Sequence, residues 1–259
     1  MKEIHLILPT SWNELSKKQL ENICFQLECY HFEIKDNQES ELEIRTRLYF
    51  AIAKEFLRNN SWKNIRYALS EIQPKEYAVL TKFIFEKNTR TKFDASLKIK
   101  GVNYYGPDLR LRNVTIGEFS FADSLYYNWK HSFNILYLNA LCATLFRIKS
   151  NSIKETDKRQ RFNKLLVDTN AKHFVNVSYK TKLAIAYTYE GCRNNFIDTY
   201  KNIFPKKEVN QPTLKSKYTP FGEIILDKIK GDPSKLITTQ NLLATDFLAI
   251  YDKDIRDLK

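Results

Sequence analysis

Apolar residues fall along this chain mainly at helical spacing, with two short interruptions that alternate instead. Ile4, Leu6 and Leu8 alternate with their neighbours, which predicts a short strand over residues 3–8 that Pro9 ends. Ser11 with Glu14, and Ser16 with Gln19, have the spacing of a capping box. The stripe Leu20, Ile23, Cys24 and Leu27 follows, so a helix is predicted over about 17–29 with Trp12 packed across its start. Ile44, Leu48, Ile52 and Phe56 recur every four residues and predict a second amphipathic helix over 40–58. A third, over 61–72, stops before Pro74, because the residue preceding a proline avoids the helical region. A fourth covers 75–86, with Tyr77, Leu80 and Ile84 inward.

The texture changes near residue 97. Residues 97–107 alternate and place glycine at turn positions, which reads as a small hairpin or an extended loop. Thr115 and Glu118 then form another capping box. Phe119, Ala122, Tyr126, Trp129 and Phe133 follow at alternating three- and four-residue steps, and a further helix is expected over 133–148. Ile185, Tyr189, Cys192 and Phe196 mark a long helix over 178–200. Gly191 inside it costs roughly 1 kcal/mol relative to alanine, which points to a close helix contact there. Residues 204–220 are poor in apolar side chains and contain Pro205, Pro212 and Pro220, the marks of a linker or long surface loop. Helices over about 221–230 and 239–257 close the chain, and no internal repeat is visible.

The pattern therefore predicts a mainly α fold, an amphipathic helical bundle with a short N-terminal strand and a small β-hairpin. The expected division is a helical main body over 1–203 with the hairpin near 97–105, a Pro- and Lys-containing linker over 204–220, and a C-terminal helical segment over 221–259. Composition agrees: 43% of residues are hydrophobic, with only 6 Gly and 7 Pro in 259 residues. The N-terminal apolar run is too short for a signal peptide, and the stretch 135–146 is shorter than the roughly 20 residues of a spanning helix, so a soluble chain without membrane association is expected. Cys24, Cys29, Cys142 and Cys192 do not form a disulfide framework in a chain of this length, and reduced thiols in a cytosol-like compartment are the simpler reading.

Charge adds an asymmetry. The first 60 residues hold 8 Lys+Arg against 10 Asp+Glu, which leaves 34 against 20 for the remainder. A basic body facing an anionic partner is one reading, and a Lys- and Asn-rich composition with no partner behind it is the other. The basic stretch 147–164, with Lys149, Lys158, Arg159 and Arg161, and the loop carrying Lys206 and Lys207 are the candidate nucleic-acid contacts. Only Phe162 interleaves an aromatic ring, while Glu155 and Asp157 interrupt the positive charge. The adjacent Tyr104 and Tyr105 are candidates for a partner interface, and core burial explains them equally well.

No catalytic or metal constellation stands out. Cys24, Cys29 and His31 lack the second close Cys/His pair that a zinc site wants. Cys192 lies on the apolar stripe of its helix, so a structural cysteine is the favoured reading, although His173 could in principle approach it as a base. Glu118 and Asp123 are five apart and face different ways, so Glu118 is read as the capping partner of Thr115. Neither phosphate-binding glycine motif occurs. A non-enzymatic protein without metal or cofactor is expected.

Three stretches carry a resemblance when taken together. They are Leu8-Pro9-Thr10-Ser11-Trp12-Asn13-Glu14-Leu15-Ser16; then Tyr105-Gly106-Pro107 with Thr115-Ile116-Gly117-Glu118-Phe119 and Ala122-Asp123; and Lys182-Leu183-Ala184-Ile185 with Tyr189-Glu190-Gly191-Cys192-Arg193. In this order they resemble a protein family of tailed phages and prophages encoded in the tail-gene region, and the helices from Phe221 to Leu258 resemble the end of those proteins. The resemblance spans most of the chain and rests on patterns of fold, so it carries over no catalytic residue. It implies virion morphogenesis, as a tail assembly chaperone or a structural tail or connector component. Partners would be tail or head–tail connector proteins or further copies of the chain. The location would be the host cytoplasm during assembly, or the tail of the virion. Nucleic-acid binding through the basic body is the alternative.

Overall fold

A computed structural model of the chain describes residues 5–36, 40–150, 157–205 and 220–258. Among them are twelve α-helices and one two-stranded sheet, the mainly α fold with a hairpin that the periodicity predicts. In order the elements are α1 (Lys17–Asp36), α2 (Glu41–Leu57), α3 (Trp62–Glu71), α4 (Pro74–Leu80), α5 (Lys82–Phe85), β1 (Ser96–Ile99), β2 (Val102–Tyr105), α6 (Ile116–Ser132), α7 (Ile135–Leu145), α8 (Val167–Phe174), α9 (Tyr179–Thr199), α10 (Phe221–Lys228), α11 (Leu236–Gln240) and α12 (Ala244–Asp257). No helix among the described residues is long and apolar enough to cross a membrane.

The chain divides into two compact units. One comprises residues 1–90 and 178–191, the other 91–177 and 192–259. The predicted linker lies, from 206 to 219, outside the described residues.

In the first unit α1 packs on α2, and Ala53, Leu57, Ala68 and Tyr77 form a small core that Leu6 and Leu8 also cover. Residues 5–8 keep the predicted alternation, with Ile7 outward and Leu6 and Leu8 half-buried, but they form no strand. The reason is the partner. The Ile7 amide donates to Asn60 Oδ1 at 2.7 Å and the Asn60 amide group donates to the Ile7 carbonyl at 2.9 Å, so a side chain supplies what a neighbouring strand would. Ser40 and Ser61 cap α2 and α3 by accepting from Glu43 N and Asn64 N. The predicted helix over 75–86 breaks at Thr81, whose hydroxyl donates back to the Tyr77 carbonyl at 2.8 Å. Across that break Thr81 is buried and Leu80, expected inward, is exposed.

Trp12 reaches further than the start of α1. It is buried, donates its indole N–H to the Phe83 carbonyl at 3.0 Å, and stacks on Tyr187 at 6.5 Å between centroids. Gly191 permits a close approach, though to the connecting segment at Arg90 and not to a helix. A Cβ there would lie 2.0 Å from the Arg90 carbonyl oxygen.

In the second unit the hairpin turns at Lys100 and Gly101, both at positive φ as a type I′ turn requires. Its register pairs Leu97 with Tyr104. Helix α6 is central, touching α7, α10, α11 and α12. Phe119 on its buried face meets Phe196 at 5.1 Å and Phe221 at 4.7 Å. The helix ends one residue before Phe133, which adopts a left-handed C-cap instead of continuing the stripe. Asn134 then caps α7 by accepting from the Leu136 amide at 2.9 Å, so α7 starts later than predicted.

Candidate functional site

Helix α6 begins where residues 114–116 pair with residues 242–244. The Ile116 amide donates to the Leu242 carbonyl at 2.8 Å, and the Ala244 amide to the Val114 carbonyl at 2.8 Å. Thr115 caps the helix by accepting from the Glu118 amide at 3.2 Å. The Glu118 side chain does something other than complete the capping box. It is 1% exposed and lies between two guanidinium groups.

Arg147 donates to both Glu118 oxygens, at 2.7 and 3.1 Å, and Arg159 donates to Oε1 at 2.9 Å. Arg159 also holds Asp157 bidentately, at 2.8 Å from Nη2 and 3.1 Å from Nε. The remaining guanidinium donors are spent on carbonyls. Arg147 reaches Gln160 and Thr144, and Arg159 reaches Leu145 and Asn113. Asn113 closes the ring by donating to Asp157 at 3.0 Å. Two cations and two carboxylates are thus matched in charge.

Burial alone pulls the Arg159 guanidinium down. Glu118 and then Asp157 outweigh it and hold the group above its ordinary value. Taking such charges out of water is expensive, and the cost is met only when hydrogen bonding is as complete as it is here.

Backbone pairing places these groups. Arg147 and Tyr105 exchange amide–carbonyl bonds at 2.7 and 3.1 Å, which ties the end of α7 to β2. Ser150 N donates to the Lys158 carbonyl and Gln160 N to the Ile148 carbonyl, both at 2.8 Å. The chain on either side of residues 151–156 therefore runs as a paired ribbon that presents Arg147 and Arg159 to Glu118.

This cluster floors a cleft of about 1290 Å³ within the second unit. One wall is α6, with Ser120, Phe121 and Ser124. The opposite side comes from residues 160–166, and α10 and α11 complete the rim. Gly117 lets α11 approach, since a Cβ there would lie 3.0 Å from Gln240. Phe121 and Phe162 face each other at 5.7 Å, Lys164 Nζ stands 5.4 Å from the Phe121 centroid, and Arg161 donates to Asn241 at 2.9 Å.

The sequence-predicted contacts are scattered by the structure. Tyr104 is buried against Phe174, and Tyr105 is half-buried. Lys149 and Lys158 are exposed. Arg159 is fully buried in the ionic cluster, where it has no face to offer a phosphate. Arg161 is exposed at the cleft. Lys206 and Lys207 lie outside the described residues.

Cys192 is buried with its sulfur 3.7 Å from the Thr91 carbonyl, while His173 lies against Tyr104. Asp123 is buried and accepts from Arg193 at 2.7 Å. Among the described residues no three His, Cys, Asp or Glu side chains gather as metal ligands. Sequence reasoning missed Glu118, Arg147 and Asp157 as a group. The available signal was Asp157 itself, an acid set within a basic run next to arginines. Comparison with protein-family models, curated proteins and solved structures finds no match to this chain.

Proposed function

We propose that the protein works by binding partner proteins, in the role in tailed-phage virion morphogenesis that its sequence resemblance implies. It acts there as a tail assembly chaperone or as a structural tail or connector component. The observation that carries the binding part is the cleft. Its buried charges are consumed in holding one another, while its walls keep apolar side chains open to solvent: Leu226 is 48% exposed and Ile237 72%. A concave site of this kind favours recognition.

Nucleic-acid binding through the basic body is weakened as a reading because Arg159, in the middle of the basic stretch, is buried and neutralised. The test is mass spectrometry of purified particles, paired with cross-linking in producing cells. Stoichiometric presence in the particle is expected of a tail or connector component. Absence from the particle together with cross-links to tail proteins is expected of a chaperone. Absence from both contradicts the proposal.

A further inference from the structure

The floor and the mouth of the cleft differ in what they have left to give. At the floor, the donors of Arg147 and Arg159 are committed to Glu118, Asp157 and backbone carbonyls. At the mouth, Arg161 and Lys164 are exposed, and among the described residues neither makes an ion pair. The net surplus of the lining is therefore positive, and it sits where a ligand would enter.

Beside these cations lies apolar surface. Leu166 is 43% exposed, Leu226 48%, Ile237 72% and Leu243 39%, and all four line the cleft. Exposed aliphatic side chains scattered singly need no explanation, but four around one concavity, next to the Phe121 and Phe162 rings, form a patch. The size also bears on the ligand. At about 1290 Å³ the cleft exceeds the roughly 300–1,000 Å³ of typical small-molecule pockets, and it suits a short stretch of polypeptide.

A ligand complementary to this lining has apolar side chains on one face and carboxylates along its edge. We infer that the cleft receives an acidic amphipathic segment of a partner protein, its apolar face against Leu226, Ile237 and Leu243 and its carboxylates at Arg161 and Lys164. The inference rests on the partner-binding reading above and names the ligand class. This is helix-in-groove recognition, in which apolar anchors supply affinity and the charged rim supplies orientation and rate. A nucleic-acid strand fits less well, because tracking a phosphate backbone uses a row of cations and gains nothing from an aliphatic wall.

Fluorescence anisotropy on the full chain tests it. The probe is a fluorescein-labelled peptide of about 15 residues, roughly four helical turns, with Leu and Phe on one face and Glu on the other. The comparators replace its Glu by Lys, or its Leu and Phe by Ser and Gln, and a single-stranded DNA of similar length is run alongside. The acidic amphipathic peptide is expected to bind saturably and the comparators at least about tenfold more weakly. Arg161→Glu with Lys164→Glu, and separately Ile237→Asp, should each weaken binding by about tenfold. Lys98→Glu in the hairpin should change it by less than about twofold.

All of these substitutions are at exposed positions, and a circular dichroism melt of each variant checks that it folds. Equal binding of all peptides, indifference to both sets of cleft variants, or DNA binding alone overturns the assignment. If the peptide fails while the protein still cross-links to tail proteins in cells, the ligand class is wrong and the partner-binding role stands.

Discussion

Arg90 in the first unit and Arg159 in the second are both almost fully buried, at 4% and 1% exposure, yet they are used differently. Arg90 donates to the Trp12 and Leu15 carbonyls at 2.8 and 3.2 Å, and so braces the turn that leads into α1. Arg159 meets two carboxylates and borders a cleft. Buried arginine is thus no marker of a site by itself. What separates the two is place: the carbonyls that Arg90 holds lie in the turn into α1, whereas the Glu and Asp that Arg159 holds floor a cleft lined by exposed groups.

The largest expected effect breaks that floor. Glu118→Ala leaves two guanidinium groups facing each other without their shared carboxylate. It should destabilise the fold by about 3–5 kcal/mol in urea denaturation. A loss below about 1 kcal/mol would mean that water or a rearranged partner already satisfies the arginines. In the first unit the comparable strain test is Gly191→Ala. Its new Cβ would meet Arg90 backbone atoms well inside contact distance, and backbone cannot swing aside. A cost of about 3 kcal/mol, read from the same denaturation curve, is expected.

A smaller effect follows from Asn60→Ala. Removing the two bonds to Ile7 should cost about 1–2 kcal/mol and speed hydrogen exchange at the Ile7 amide, with little change in the second unit. The smallest is at the cleft mouth. Arg161→Glu with Lys164→Glu should leave stability within about 0.5 kcal/mol, because both groups are exposed and have no carboxylate partner among the described residues. A large stability loss there would make the cations part of the scaffold and sharpen the line between floor and mouth in the other direction.

Much of the helical architecture was legible because periodicity reports burial directly. The stripe Ile44, Leu48, Ile52 and Phe56 is buried as spaced, and the hairpin at 96–105 follows from alternation around a Lys-Gly turn. Periodicity and structure part where a polar side chain competes with the backbone. Asn60 replaced a strand partner for Ile7, Thr81 bonded back to Tyr77 and divided a helix, and Asn134 restarted one.

The candidate site was less legible for a related reason. Glu118 has perfect capping-box spacing, and local spacing says nothing of Arg147 and Arg159, which stand 29 and 41 residues further along the chain. By sequence Arg159 is one member of a basic run and a candidate nucleic-acid contact. Only the paired ribbon on either side of residues 151–156 turns it inward.

Hydrogen–deuterium exchange on the full chain, with and without the acidic amphipathic peptide, tests the recognition role of the cleft most directly. Slower exchange confined to α10, α11 and residues 160–166, with the hairpin at 96–105 unchanged, is the expected result. Unchanged exchange at those elements under saturating peptide, or protection only elsewhere, would contradict it.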